Sequence, residues 1–465
     1  MHRNSRSDQA PIRVHLASLG CAKNLVDSER LLARLATSGA LVGASANEAD
    51  VILVNTCGFI DLARRESIAV IEEYAGIVET DPSVRLLVIG CLVERDRERL
   101  AAELPFVDAF FGLGEEDRIV AACGLDAAAD DGARLLLTPP HSAYLRLSEG
   151  CDNRCTYCTI PQIRGPFRSR KPSEILREAE QLAEFGVAEL NLIGQDTTSY
   201  GKDFSRPYPI ERLLHKLAEI EPIRWLRLLY AHPAHFSDGL VRTFASVPKL
   251  CPYVDLPLQH LDDEILKRMA RRTTQANALR LIDALRSARP GIAIRTTFIV
   301  GFPGETEEAF DALLALVSKI RFDHLGAFAF SPEPETPAAT LPNQVPEAER
   351  HRRVDALMSL QAEIAAAKNR EKVGSRAELL LDEPGGRSNL WIGHTETQAP
   401  DVDGVTHVRG GGLRAGEFLE VRITGADGYD LLAEPLRESP EPPPRVDPRS
   451  ADSRPSASSC RADPL

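Results

Sequence analysis

Six of the nine cysteines fall into two sets whose spacing points to iron–sulfur chemistry. In EGCDNRCTYC, Cys151, Cys155 and Cys158 form a Cys-x3-Cys-x2-Cys array on one short stretch. Three thiolates there can hold three irons of a cubane cluster and leave the fourth iron open, whereas electron-transfer ferredoxins supply four cysteines per cluster. An open iron is what a cluster needs to bind a cofactor or substrate. A structural zinc site would need a fourth ligand, and no further Cys or His stands nearby at a usual spacing. The second set is Cys21, Cys57 and Cys91, which end SLGC, VNTC and VIGC at intervals of 36 and 34 residues. Each interval fits one strand–helix–strand crossover. A parallel sheet would bring all three thiols to its carboxyl edge, where such sheets bind ligands. Three small core residues closing three strands would give the same pattern, because free cysteine packs well.

The elements that must position these residues are legible as apolar runs. VHLAS (14–18), VILVN (51–55) and LLVI (86–89) read as buried parallel strands. Between the first two, Asp27 or Ser28 is expected to cap a helix with Leu31, Leu32 and Leu35 on one face and Gly39 at its end. Six more runs follow: AYLRL (143–147), AELNLI (188–193), WLRLLY (225–230), YVDLPL (253–258), IAIRTTFIV (292–300) and LGAFAF (325–330). Helical patterns separate them, one over 173–185 with Ser173 as its cap. Alternation of this kind suits an open or partial parallel barrel with chemistry at the strands' carboxyl ends. A helical stretch over 346–371 leads to short β runs broken by glycine (AELLL, WIGHT, EFLEVRIT, YDLLAEPL), which read as a small β-barrel.

The expected organisation is therefore an α/β domain over 12–123, a linker over 124–136, a partial (β/α) barrel over 137–369, a β-barrel over 370–437, and a Pro- and Ser-rich disordered tail over 438–465. The composition, 43% hydrophobic and 26% charged, is that of a soluble globular chain. No apolar run reaches a membrane span, and the N-terminus has no apolar stretch behind its basic residues. A cytoplasmic protein with no membrane partner is expected. The net charge of −13 argues against broad phosphate binding and favours a basic protein partner.

The Cys151–Cys158 array, with Tyr157 before its last cysteine, resembles the signature of the radical S-adenosylmethionine (SAM) superfamily. The resemblance implies that the open iron chelates SAM, which one electron cleaves to a deoxyadenosyl radical. LIGQDTT (192–198), DLPLQH (255–260) and TFIVGFPGET (297–306) each end a strand where such a cofactor would lie. Gln195, Gly301 and Gly304 are the expected contacts there, the glycines allowing close backbone approach. An ordinary βα turn would use the same glycines. His260 reads as a pocket wall.

SLGCAKNLVDSE, NTCGFI and GCLVER, followed by the radical array, are similar to the methylthiotransferase family over nearly all of residues 12–436, including a TRAM-like barrel. This implies a transferase with two [4Fe-4S] clusters. Cys21, Cys57 and Cys91 would hold the sulfur-handling cluster, and Cys151, Cys155 and Cys158 the radical cluster. CAKNLVDSE, IPQIRGPFRSR and GQDTTSYG resemble the RimO branch, which modifies an aspartate of the twelfth small-subunit ribosomal protein. The other branch modifies a transfer-RNA adenosine. Between 370 and 437 there are eight Lys or Arg and twelve Asp or Glu. An acidic barrel is expected to dock a basic protein rather than RNA. The expected partners are that ribosomal protein and an electron donor of flavodoxin or ferredoxin type, met by a monomeric enzyme. Cys123, Cys251 and Cys460 receive no role.

Overall fold

Residues 10–129 and 132–436 are described by the computed structural model, so Cys460 and the tail read as disordered lie outside the described residues. Three sheets organise the chain. The first contains β1 (Arg13–Ser18), β2 (Leu41–Val42), β3 (Val51–Thr56), β4 (Arg85–Gly90) and β5 (Ala109–Phe111), all parallel, in the order β2-β1-β3-β4-β5. Helices α1 (Ala22–Thr37), α2 (Asp61–Thr80), α3 (Cys91–Glu103) and α4 (Glu116–Ala122) cover its two faces, over two separate apolar cores. The strand order reverses between β1 and β3, and that switch point is where a doubly wound sheet opens a crevice at its carboxyl edge.

The second sheet contains β6 (Ser142–Arg146), β9 (Glu189–Ile193), β10 (Trp225–Leu228), β11 (Leu250–Asp255), β12 (Ala293–Val300) and β13 (His324–Ala329). Its order is β13-β12-β11-β10-β9-β6 and every pairing is parallel, so it is an open six-stranded partial barrel. All six expected runs are strands. One face carries the largest core of the molecule, against helices such as Pro172–Glu184 and Glu307–Ile320. A short antiparallel pair, β7 (Ser148–Glu149) and β8 (Arg168–Ser169), brackets the Cys151–Cys158 array. The long helix Glu347–Lys372 then leads to a closed five-stranded barrel: β14 (Arg376–Pro384), β15 (Leu390–Thr395), β16 (Thr406–Arg409), β17 (Phe418–Asp427) and β18 (Asp430–Pro435).

Three local expectations are corrected. Helix α1 starts at Ala22 with Cys21 at its cap position. Asp27 is instead paired with Arg146 and Arg164, and the Ser28 hydroxyl donates to Ser18 Oγ at 2.8 Å. The helix predicted over 173–185 begins one residue earlier, because Pro172, with its fixed φ, occupies the first turn and Lys171 the cap position. Arg134, in the stretch read as a linker, is buried between Glu29 of α1 and Glu178. Strands β2, β5 and β16 were not anticipated; they are too short to show periodicity.

The barrel docks on the remaining face of the second sheet, where Leu380 and Ala399 pack with Trp225, Cys251, Tyr253 and Ala293. A buried polar chain crosses this joint. Glu189 accepts from Arg227 at 2.9 Å and pairs with His394 at 3.0 Å, and His394 also meets Asp382 at 2.8 Å. Burial pulls the His394 pKa down, but Glu189 and Asp382 outweigh it and hold it at about 9. Burial also works against the Glu189 carboxylate, yet His394 and Arg227 keep its pKa well below the ordinary range. The sign of the linkage follows from these directions. The His394 contribution is complete below its unfolded pKa of about 6.5 and is lost as pH rises through about 9. The Glu189 contribution is present above its unfolded value and is lost as pH falls. Breaking such a buried pair costs roughly 3 kcal/mol or more. His394→Gln is therefore expected to lower the melting temperature at neutral pH and to erase the decline in stability between pH 7 and 10, as scanning calorimetry across pH would show.

The same joint changes the meaning of the barrel's acidity. Glu378 binds Arg224 and the Trp225 indole, Asp401 and Asp403 accept from the Tyr144 and Tyr253 hydroxyls, and Asp382 faces His141 and His394. The seven exposed acids of this stretch, Glu371, Glu383, Asp401, Glu417, Glu420, Asp427 and Glu434, are nearly matched by six exposed arginines, Arg370, Arg376, Arg387, Arg409, Arg414 and Arg422. The acidic surplus engages the protein's own core, so the charge count does not separate a protein partner from RNA.

Candidate metal centres

Cys21, Cys57 and Cys91 follow β1, β3 and β4, three adjacent strands whose ends are in register at Ser18 with Asn55 and Thr56 with Gly90. Cys21 precedes the first turn of α1 and Cys91 opens α3, so both lie at helix N-termini above the switch point. Gly20, at φ +90°, lets the first turn press on the second: a Cβ there would stand 2.7 Å from Cys57 Cβ. Two buried asparagines tie the three turns together. The Asn24 amide donates to Leu19 O and Thr56 O and its Oδ1 lies 3.2 Å from Cys91 Sγ, while Asn55 donates to Asn24 O and Ser28 Oγ. Cys21 is exposed, Cys57 half-buried and Cys91 buried. Burial pushes the Cys91 thiol up to about 12 and raises Cys57. Cys21 reaches solvent, yet the chain packed around it still acts upward on its thiol; Lys23, the Asn24 backbone N–H and Arg164 outweigh this and bring it below its ordinary value. Filling this site with metal would displace protons from the two raised thiols.

The second array forms a loop between β7 and β8. Cys151 N donates to Gly165 O at 3.2 Å, and Cys158 N to Cys155 O at 3.1 Å. Thr156 pins the loop to the helix Asp263–Arg268: its N–H donates to Met269 O and its hydroxyl to Arg268 O. Arg271 is buried, donates to Pro257 O and stands 3.9 Å from Cys155 Sγ. Burial and the neighbouring Cys155 push the Cys158 thiol up to about 12, and burial raises Cys151. Among the described residues no group of His, Cys, Asp or Glu closes on a single metal ion. A cubane differs from such a site, since each thiolate binds its own iron at a separate corner.

The other expected contacts divide. Gln195 lies at the same strand edge, its amide 3.4 Å from Glu149 Oε1 and its Oε1 buried without a partner, as is the neighbouring Ser148 hydroxyl. Tyr157 packs edge-on to Phe302, with ring centroids 6.4 Å apart, in a cluster with Ile265 and Met269. Gly301 and Gly304 do have positive φ, +72° and +87°. What a side chain would strike there is Arg350 and Arg268 of the chain itself, and Thr306 caps the following helix. The close approach these glycines permit is thus internal to the protein. His260 is buried, its Nδ1 accepting from Asp262 N. Cys123 and Cys251 are core residues.

The two cysteine sets are joined by side chains that spacing did not reveal. Arg164, six residues after Cys158, reaches into the first set: its Nη2 lies 2.6 Å from Asn24 Oδ1, 3.0 Å from Asp27 and 3.3 Å from Cys91 Sγ, while Nη1 holds Glu149 at 3.1 Å. On the other side Glu333, 2% exposed, takes Arg64 at 2.8 Å, Arg95 at 2.9 Å and the first N–H of α2 at 3.0 Å. IPQIRGPFRSR contained Arg164, but nothing local marked which residue it would meet.

Family models match along the chain: an uncharacterized protein family, UPF0004, at residues 13–112, the Radical SAM superfamily at 145–317 and the TRAM domain at 373–436. The structure of a radical S-adenosylmethionine methyltransferase, TsrM, from Kitasatospora setae shares the fold, with a TM-score of 0.52 at 15% identity over 71% of this chain and 74% of that one. The protein named ribosomal protein uS12 methylthiotransferase RimO from Heliobacterium modesticaldum is 44% identical over 92% of this chain and 96% of its own length. Its namesake from Geobacter sulfurreducens is 41% identical over 91% and 98%. No helix among the described residues is long and apolar enough to cross a membrane. With such identity over more than nine-tenths of both chains, the chain belongs to the RimO family of radical SAM methylthiotransferases.

Proposed function

We propose that this chain converts an aspartate of ribosomal protein uS12 to its β-methylthio derivative, with Cys21, Cys57 and Cys91 holding one [4Fe-4S] cluster and Cys151, Cys155 and Cys158 another. The observation that carries this is that Arg164, six residues after Cys158, reaches Cys91 Sγ of the first triad while it holds Glu149, two residues before Cys151. The residues fit the clusters: each triad presents three thiols, and a buried guanidinium stands against each, Arg164 at Cys91 and Arg271 at Cys155. Fixed positive charge beside thiolates favours their ionised, metal-binding form. When bound, the clusters supply the electron that cleaves SAM reductively and a place to hold the sulfur that is inserted.

The chain's own residues do the rest. The unpartnered Gln195 Oε1 and Ser148 hydroxyl offer polar contacts at the edge of the second sheet, where the amino and carboxylate groups of SAM would lie. Tyr157, Phe302 and Phe330 keep one side of the loop apolar and dry. Such shielding matters because a carbon radical must meet a C–H bond rather than solvent. The β-carbon of aspartate bears an inert hydrogen that no side-chain base removes at neutral pH, which is why radical chemistry suits it. The electron would come from a flavodoxin or ferredoxin.

Mass spectrometry on uS12 and on transfer RNA from cells lacking this gene tests the reading. The expected result is loss of the methylthio group from the uS12 aspartate with transfer RNA unchanged. Loss from a transfer-RNA adenosine, with the aspartate still modified, would overturn it.

A further inference from the structure

Five lysines or arginines are buried as whole residues among the described residues: Lys23, Arg164, Arg227, Arg271 and Arg353. Four are accounted for within the chain. Arg164 binds Asp27 and Glu149, Arg227 binds Glu189, Arg353 binds Glu305 and Glu349, and Arg271 donates to Pro257 O beside Cys155. Lys23 is the exception. It is 6% exposed, and no hydrogen bond or ion pair joins its ammonium to another described residue, so the Nζ is left to solvent. The ammonium lies over the ring of Tyr230, with Nζ 3.2 Å from the centroid, and its charge also acts on the Cys21 thiol.

A ring face attracts an ammonium, but it cannot satisfy three N–H donors. An ammonium held against a ring with no carboxylate partner in the chain leaves those donors for an anion from outside it. The surroundings say where that completion occurs. Lys23 is two residues from Cys21 on the first turn of α1, and Tyr230 follows β10 at the carboxyl edge of the second sheet. Ala22, Leu25 and Tyr230 all pack against one apolar cluster that contains Val26, Ile193 and Leu229. Tyr230 has φ +57°, a left-handed conformation that a non-glycine residue adopts only when held. Its N–H donates to Asp255 at 2.9 Å and its carbonyl accepts from Thr197 N at 3.1 Å. The adjacent Asp196 accepts from Asn153 of the cysteine loop at 2.9 Å. The ammonium is thus held where the α1 turn that follows Cys21 meets the carboxyl edge of the second sheet, the edge that also carries the cysteine loop.

We propose that Lys23 binds the side-chain carboxylate of the substrate aspartate and so presents its β-carbon at this edge. This rests on the aspartate reading above and deepens it, making Lys23 a specificity residue for an anionic side chain. The carboxylate of SAM is a second source of the same chemistry. The substrate is the better match, because Lys23 belongs to the segment carrying Cys21 and not to the Cys151–Cys158 loop.

The test is a cycle between enzyme and substrate. Wild-type holoenzyme and Lys23→Met holoenzyme are each titrated, by fluorescence anisotropy, with labelled uS12 and with uS12 whose target aspartate is asparagine. Iron content per chain shows that the methionine variant has folded and loaded. Wild type should bind the aspartate form about 30-fold more tightly, the scale of a desolvated charge-assisted pair. Lys23→Met should bind both forms alike, and Lys23→Arg should regain a preference for aspartate. Equal binding of both forms by wild type, or a preference that survives in Lys23→Met, would overturn the proposal. So would a Lys23→Met variant that loses affinity for SAM yet still discriminates between the two forms, which would assign the ammonium to the cofactor. Failure of wild type to modify uS12 at all would remove the substrate reading itself, a result distinct from modification that proceeds without discrimination.

Discussion

Replacing Cys151, Cys155 and Cys158 together by alanine is expected to abolish formation of deoxyadenosine from SAM, to below a thousandth of the wild-type rate, equivalent to a barrier raised by roughly 4 kcal/mol or more. The size of the effect follows from how little else in the loop can bind metal. Among the described residues nothing near Cys155 offers a fourth thiol, and the groups beside the loop (Arg271, Thr156, Asn153) are donors turned to carbonyls, sulfur or Asp196. The backbone of the loop should survive the change. It is held by Gly165 O, Arg268 O and Met269 O, contacts that involve no cysteine side chain. The fold should therefore persist, with Cys21, Cys57 and Cys91 still able to take iron. High-performance liquid chromatography of reduced, iron-reconstituted protein incubated with SAM reads the outcome. Undiminished cleavage would mean that another group holds the radical cluster.

Much of this centre was legible in the sequence because its geometry is local or topological. The Cys151–Cys158 array is one loop, so spacing alone defines it. Cys21, Cys57 and Cys91 are far apart in the chain, but a parallel sheet with one crossover between each pair brings equivalent strand ends together, and β1, β3 and β4 are neighbours. What was not legible depends on how separate units pack. Arg164 is one basic residue among several in IPQIRGPFRSR, and only the docking of that loop against α1 singles it out. Glu333 lies about 240 residues from Arg95, which it pairs with, and no periodicity connects them. Gly301 and Gly304 show the same limit from the other side. Their positive φ was readable from residue type, but the partners that crowd them are Arg350 and Arg268. The barrel's charge was counted correctly, yet counting does not say which acids face Tyr144, Tyr253 and Trp225.

Replacing Cys21, Cys57 and Cys91 by alanine should separate the two centres. Iron is expected to fall from about eight to about four per chain, the cubane stoichiometry for two sites reduced to one. Sulfur insertion into uS12 should stop, while cleavage of SAM without the ribosomal protein continues. Here the fold is at less risk than the number of substitutions suggests. The three turns are stapled by Asn24 and Asn55 through backbone and hydroxyl oxygens, and of these bonds only the one to Cys91 Sγ is lost. The lost contact leaves Arg164 with Asn24, Asp27 and Glu149, enough to keep its charge compensated. Loss of the two hydrogen bonds at the Cys91 sulfur, to Asn24 and from Arg164, costs about 2 kcal/mol, inside the stability of a domain of this kind. Colorimetric iron analysis and circular dichroism on the same sample give both readings at once. If iron remains at the wild-type level in a folded variant, these three cysteines are core residues closing three strands, and the sulfur-handling site must be sought elsewhere in the chain.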